Sequence, residues 1–140
     1  MLSDAVVGVV REPIAGRDAV LLGLKNDQGL LAREWGCLGE KLEPADNSNH
    51  AVAIWRMGLQ EISAPLQRGE LVAVATMPEG RRVWWYECRL ADPADRYRIQ
   101  PGSDLVAACW YPLESVRAVT GPVSRSRWPA EVRAYFGRRG

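Results

Sequence analysis

A chain of 140 residues, 47% hydrophobic and 25% charged, is long enough for one self-sufficient core and too apolar to be disordered. Its formal net charge of +1 gives no basis for a broad nucleic-acid or anionic-membrane surface. No stretch reaches the roughly 18 apolar residues of a membrane-crossing helix, and the start MLSDAVVGVVRE lacks the basic segment and long apolar run of a secretory signal. Three cysteines, Cys37, Cys88 and Cys109, stand at wide spacings without a C-x-x-C pair, which predicts buried thiols in a reducing, cytoplasmic setting.

Residues 4–10 (DAVVGVV) are β-branched and read as a strand, followed by a second at residues 18–24 (DAVLLGL), paired through the Pro13/Gly16 turn region. Residues 48–63 form the central helix, with Ser48 or Asn49 as N-cap and Pro65 marking its exit. Val52, Trp55, Leu59 and Ile62 make an apolar stripe expected to face a sheet, leaving Met57, Gln60 and Glu61 on the other side. Gly58 costs about 1 kcal/mol in a helix interior relative to Ala, so close packing is expected there. Residues 70–77, the turn PEGR and residues 82–90 form the clearest hairpin. Residues 105–111 are a further buried strand, with a helix beginning at Pro112 and a last helix in WPAEVRAYFG bounded by Pro129 and Gly137. The single histidine, His50, reads as a polar first-turn residue; no G-x-S-x-G elbow is present, so a histidine-based triad is not indicated. The expected fold class is α/β (α+β), a mixed β-sheet between helices, in a single domain over residues 1–140.

WGCLGEKLEPAD after the second strand, followed by RMGLQEIS in the helix, resembles the box of the Nudix hydrolase family. That box is preceded by W-x-x-P-G and runs from a glycine-rich loop to R-E-U-x-E-E-x-G-U, with U apolar. Trp35, Gly39, Lys41, Glu43, Arg56 and Glu61 match it. Leu38 replaces the proline, Glu40 and Ala45 replace glycines, Asp46 stands for the loop glutamate, Met57 and Gln60 replace helix glutamates, and Ser63 replaces the last glycine. The gap from Asp46 to Arg56 is two residues longer than the box.

The resemblance implies a Nudix-like α/β/α sandwich and hydrolysis of a nucleoside diphosphate linked to another moiety, assisted by Mg²⁺ or Mn²⁺. Magnesium takes oxygen ligands, and a helix offers carboxylates at i and i+4 on one face; here that pair is Met57 and Glu61, and a thioether does not suit a hard cation. The resemblance therefore implies Glu61, Gln60, Asp46, Glu43 and Glu40 as metal ligands, and Glu61 and Asp104 as catalytic residues. Lys25 and Lys41 are implied near the substrate phosphates, and Arg56 as a brace between helix and loop. Trp84 and Trp85 face opposite sides of their strand, so one belongs to the core and the other is a candidate to meet a nucleobase. Trp128, beside Arg125 and Arg127, is a further surface candidate. Two rivals stay open beside the enzyme: an inactive Nudix-like nucleotide-binding module, and a protein-interaction module, with a homodimer as one form of the latter.

Overall fold

The β-branched run at the start is longer as a strand than its sequence signal. In the computed structural model, which describes residues 3–137, β1 spans Ala5–Ile14 and β2 spans Arg17–Lys25. The first two and last three residues of the expected 1–140 domain lie outside the described residues. Ile14 pairs with Arg17, leaving Ala15 and Gly16 as a two-residue turn at φ 51° and 77°. Positive φ at both positions matches the twist of a hairpin.

β1 organises the sheet. Its first half pairs in parallel with β6 (Arg82–Leu90), from Ala5↔Val83 to Val10↔Cys88, and antiparallel with β4 (Leu38–Lys41) on the other edge. Its second half pairs with β2, which also carries the short β3 (Trp35–Gly36) and β7 (Leu105–Pro112). β5 (Leu66–Thr76) completes the hairpin with β6 across the expected turn. The result is a seven-stranded mixed sheet in the order β3-β2-β1-β6-β5, with β4 on β1 and β7 on β2. One core cluster lies under α1 (His50–Ile62) and includes Val6, Leu38, Ile54, Met57 and Ile62. The other includes Val9, Val20, Trp85, Val116, Trp128 and Phe136, under α2 (Val116–Val119) and α4 (Ala130–Gly137). Helices on both faces of the sheet give the expected α/β/α arrangement.

The helix face is a correction. α1 buries Ala53, Ile54, Met57, Gly58, Glu61 and Ile62, while Val52, Trp55 and Leu59 are about half exposed. Gly58 sets this rotation: a Cβ there would lie 2.2 Å from the Ala64 carbonyl oxygen and 2.7 Å from the Leu66 amide nitrogen. Only the bare glycine surface lets the helix sit so close to the chain entering β5, so the ridge carrying Gly58 turns inward and the larger stripe beside it turns out. The caps are as expected, with the Asn49 side chain accepting from the Ala51 and Val52 amides and Ser63 ending the helix at φ 59° before Pro65.

Pro112 is also corrected. It closes β7 opposite Ala19, and a 3-10 turn over Leu113–Ser115 precedes α2, because the sheet register holds Pro112 in extended pairing. A short α3 (Pro122–Ser126) had no signal in the sequence reading, and α4 starts at Ala130 and includes Gly137. Of the cysteines only Cys88 is buried; Cys37 is half-buried and Cys109 exposed, and all are free thiols.

Candidate active site

The C-terminal end of α1 is fastened to the loop that leads into β7. The Gly102 amide donates to the Glu61 carbonyl at 2.9 Å and the Gln100 amide to the Ile62 carbonyl at 3.2 Å. Gly102 has to be glycine for this, since a Cβ would lie 1.9 Å from the Gln60 carbonyl oxygen. The same loop meets the end of β2, where the Asn26 amide donates to the Asp104 carbonyl at 3.1 Å. Glu61, Asp104 and Lys25 are thereby drawn to one place from segments far apart in sequence. Glu40 joins them from β4, two residues beyond the buried Leu38 and so on the strand face turned toward α1.

The loop between β4 and α1 is held by Arg56. Its guanidinium donates to Asp46 Oδ1 and, at 3.0 Å, to the Lys41 carbonyl, with Glu43 at 3.6 Å. Asp46 Oδ2 accepts from the Glu43 amide at 2.8 Å. Burial pushes the Asp46 carboxyl upward, but the hydrogen bonds from Arg56 and the Glu43 amide, with the Arg56 charge, outweigh it and leave its pKa lowered. Arg56 is thus the brace the sequence reading expected, and Asp46 is its partner.

A cavity of about 730 Å³ opens beside these elements. Lys25, Glu40, Lys41, Glu61, Trp85 and Asp104 line it, together with Arg81, Ser124, Arg127 and Trp128. Glu61 is only 5% exposed and its Oε2 has no hydrogen-bond partner among the described residues. Desolvation raises its pKa, the Lys25 charge opposes that, and the charges of Asp104 and Glu40 add to it. Glu40 is raised as well, first by burial, with Arg56 opposing and Glu43 and Asp104 reinforcing. The acids of the cleft therefore feel one another, with Lys25 as a nearby cation.

The residues singled out from the sequence divide. Glu61, Glu40, Asp104, Lys25, Lys41 and Trp85 meet at the cavity. Gln60 is exposed on the outer side of α1, and Glu43 is exposed beside Arg56, neither lining the cavity. Asp46 is buried at the brace, bonded to Arg56 and the Glu43 amide, and does not line the cavity. Met57 is fully buried in the core under α1. Trp84 packs on that same side against His50, ring centroids 4.7 Å apart, and under the Arg82 guanidinium; it is not a cavity residue. Trp85, on the other strand face, is both core and cavity wall. Trp128 is buried, not a surface ring. Arg81 and Ser124 had no readable signal and Arg127 was noted only beside Trp128, since only tertiary folding brings the β5–β6 turn and the segment around α3 to the cleft.

No protein-family profile matches the chain, and no curated protein matches it by sequence. Solved structures do match. The chain is similar to the Nudix domain of Shewanella oneidensis NrtR complexed with ADP-ribose (TM-score 0.72, 13% identity, covering 96% of this chain and 88% of that one). It is similar to a C. elegans Ap4A hydrolase in a binary complex (TM-score 0.69, 16% identity, 96% and 94% covered). The C-terminal domain of mouse MUTYH, in complex with human PCNA, is also similar (TM-score 0.61, 21% identity, 99% and 90% covered). The chain has the Nudix hydrolase fold.

Proposed function

We propose that the chain is a pyrophosphohydrolase acting on a nucleoside diphosphate joined to a second group. The observation that carries this reading is Glu61, a buried carboxylate with an unpartnered Oε2 and a raised pKa at the wall of a nucleotide-sized cavity. Leaving such a group unpartnered costs about 1–3 kcal/mol. A carboxyl perturbed by burial and by charged neighbours in a cleft is the pattern of a functional site.

Nudix-type hydrolysis uses a divalent cation, and the donor set fits one. Magnesium is commonly held by one or two carboxylates together with substrate phosphates. Glu61 with Glu40 or Asp104 meets that need, although among the described residues no group of three or more acidic, histidine or cysteine side chains is gathered as a metal cage. A bound cation would neutralise phosphate charge and acidify the attacking water. The chain's residues do the rest. Lys25 and Lys41 orient the phosphates through their ammonium groups, and Asp104, exposed at the rim, accepts the proton of the attacking water at its carboxylate. The substrate is a small nucleotide-like molecule, and the three free thiols suit a cytoplasmic setting. Among the described residues no helix is long and apolar enough to cross a membrane.

The test is to incubate the purified chain with magnesium or manganese and a panel of dinucleotides, nucleotide sugars and ADP-ribose, and to quantify products. Cation-dependent turnover that disappears in Glu61→Gln supports the proposal, and turnover no greater than in that variant across the panel rejects it. A second reading, nucleotide binding without hydrolysis, is favoured by Met57 in the core and Gln60 outside the cleft. It predicts a ligand-induced rise in thermal stability without product.

A further inference from the structure

The turn between β5 and β6 closes on itself, the Met77 amide donating to the Arg81 carbonyl and the Gly80 amide to the Met77 carbonyl, both at 2.8 Å, with Gly80 at φ 92°. β6 starts one residue later, and its side chains alternate between the two faces of the sheet. Arg82 stacks on Trp84 on the α1 side, 5.0 Å from the ring centroid. Arg81 therefore falls with Val83 and Trp85 on the opposite side, and all three line the cavity.

The cavity wall carries its charge unevenly. Among the described residues its acids are Glu40, Glu61 and Asp104, grouped with Lys25, while Arg81 and Arg127 stand apart from them. β4 and β6 flank β1, Ala5 pairing with Lys41 on one side and Val83 on the other, so the two ends lie two strand spacings, about 10 Å, apart. Arg127 is bonded to Glu79 at 2.7 Å. Arg81 is near enough to Glu79 for the two charges to interact, but among the described residues it makes no ion pair and no side-chain hydrogen bond. Its Nε is closed to solvent, which packs the stem into the wall, whereas its two terminal nitrogens are neither closed nor paired.

A guanidinium whose stem is packed into a wall is held in place before a ligand arrives, which lowers the ordering cost of binding. Its terminal N–H groups match two oxygens of a phosphate or a carboxylate. The acidic end, through a cation, suits a pyrophosphate, and the basic end suits a second anion beyond it. We propose that Arg81 anchors that second anion, so that the preferred ligand is a nucleoside diphosphate derivative carrying a further phosphomonoester or carboxylate away from its pyrophosphate. This rests on the nucleotide reading above.

Titration calorimetry of the full chain with magnesium compares NADP with NAD and UDP-glucuronate with UDP-glucose, pairs that differ by one phosphomonoester and by one carboxylate. The expected result is that the more anionic member of at least one pair binds about tenfold more tightly, and the pair that shows it identifies the anion. Arg81→Gln removes the preference and leaves the affinities for NAD and UDP-glucose unchanged. Glu79→Gln, at an exposed position, removes the acid that competes for Arg81 and raises the preference about threefold; it carries the test if Arg81→Gln melts early. Equal affinity within both pairs, a preference that survives Arg81→Gln, or, where that variant melts early, one that Glu79→Gln leaves unchanged overturns the anchor while the nucleotide reading stands. Binding of none of the four overturns both.

Discussion

Asp46, in the turn before α1, and Glu61, in the last turn of α1, are nearly equally buried, at 3% and 5% exposure. They differ in their partners. Asp46 takes charged and backbone donors from Arg56 and Glu43, and its pKa is lowered. Glu61 has one oxygen with no donor among the described residues, and desolvation, with the charges of Asp104 and Glu40 against that of Lys25, leaves its pKa raised. Burial alone therefore does not separate them; the inventory of donors does, setting a carboxylate tied to Arg56 apart from one with an oxygen unpaired among the described residues. The resemblance implied both as parts of one site; the structure gives them different partners.

The strongest challenge to that contrast is to place a carboxylate at position 57, where the resemblance implies one. Met57→Glu places a carboxylate in the dry core between α1 and the sheet, so it is expected to cost about 4 kcal/mol or more and to yield little folded protein in denaturant titrations. Asp46→Ala leaves the part-buried Arg56 without its main partner. A loss of about 3 kcal/mol is expected, read as a lower urea midpoint with an unchanged slope. A loss under about 0.5 kcal/mol would make Asp46 an ordinary surface-like acid.

Glu61→Gln should act in the opposite direction on stability. Removing a desolvated charge is expected to stabilise the chain by about 1 kcal/mol at neutral pH, about 3 °C in melting temperature for a chain of this size, while turnover is lost. The pH dependences then run oppositely. Asp46 has a folded pKa below its ordinary 3.8, so its contribution is complete above that value and fades as pH falls through the folded pKa. Glu61 has a folded pKa above its ordinary 4.5, so the folded state holds the proton more tightly and stability declines as pH rises from 4.5 through the folded pKa. Melting curves of the parent and the two variants from pH 3 to pH 8 check both signs: the Asp46→Ala deficit shrinks in acid, and the Glu61→Gln gain vanishes there. The smallest effect is expected from Gln60→Glu, which restores a box residue at an exposed position away from the cavity. Stability should shift by no more than about 0.5 kcal/mol and turnover should not increase; a marked rise in turnover would return Gln60 to the site.

Much of the scaffold was legible in the chain. β-branched runs, the PEGR turn, the Asn49 cap and the exit at Pro65 are local signals, and the strands and helix formed around them, with β1 running on to Ile14 and β5 starting earlier, at Leu66. Gly58 was legible as a point of close packing, but the direction of that packing was not. A helix with apolar residues on two neighbouring ridges offers two faces, and periodicity favoured the bulkier one. The Ala64 carbonyl, brought against Gly58 by the return into β5, selected the other.

The site divides along the same line. Lys25, Glu40, Lys41, Glu61, Trp85 and Asp104 were named from sequence and meet at the cavity, whereas Glu43, Asp46, Gln60 and Trp84 were also named and do not line it. Sequence determined which residue types were on hand, which elements they rode on, and that the helix carries Met57 and Gln60 where the resemblance implies acids. Tertiary structure decided which carboxylate was tied down and which left unpartnered, and it brought Arg81 and Ser124 to the same cavity from distant segments. The physical reason is that strand and helix signals come from neighbours along the chain, while desolvation, charge coupling and hydrogen-bond satisfaction depend on groups that only folding makes neighbours.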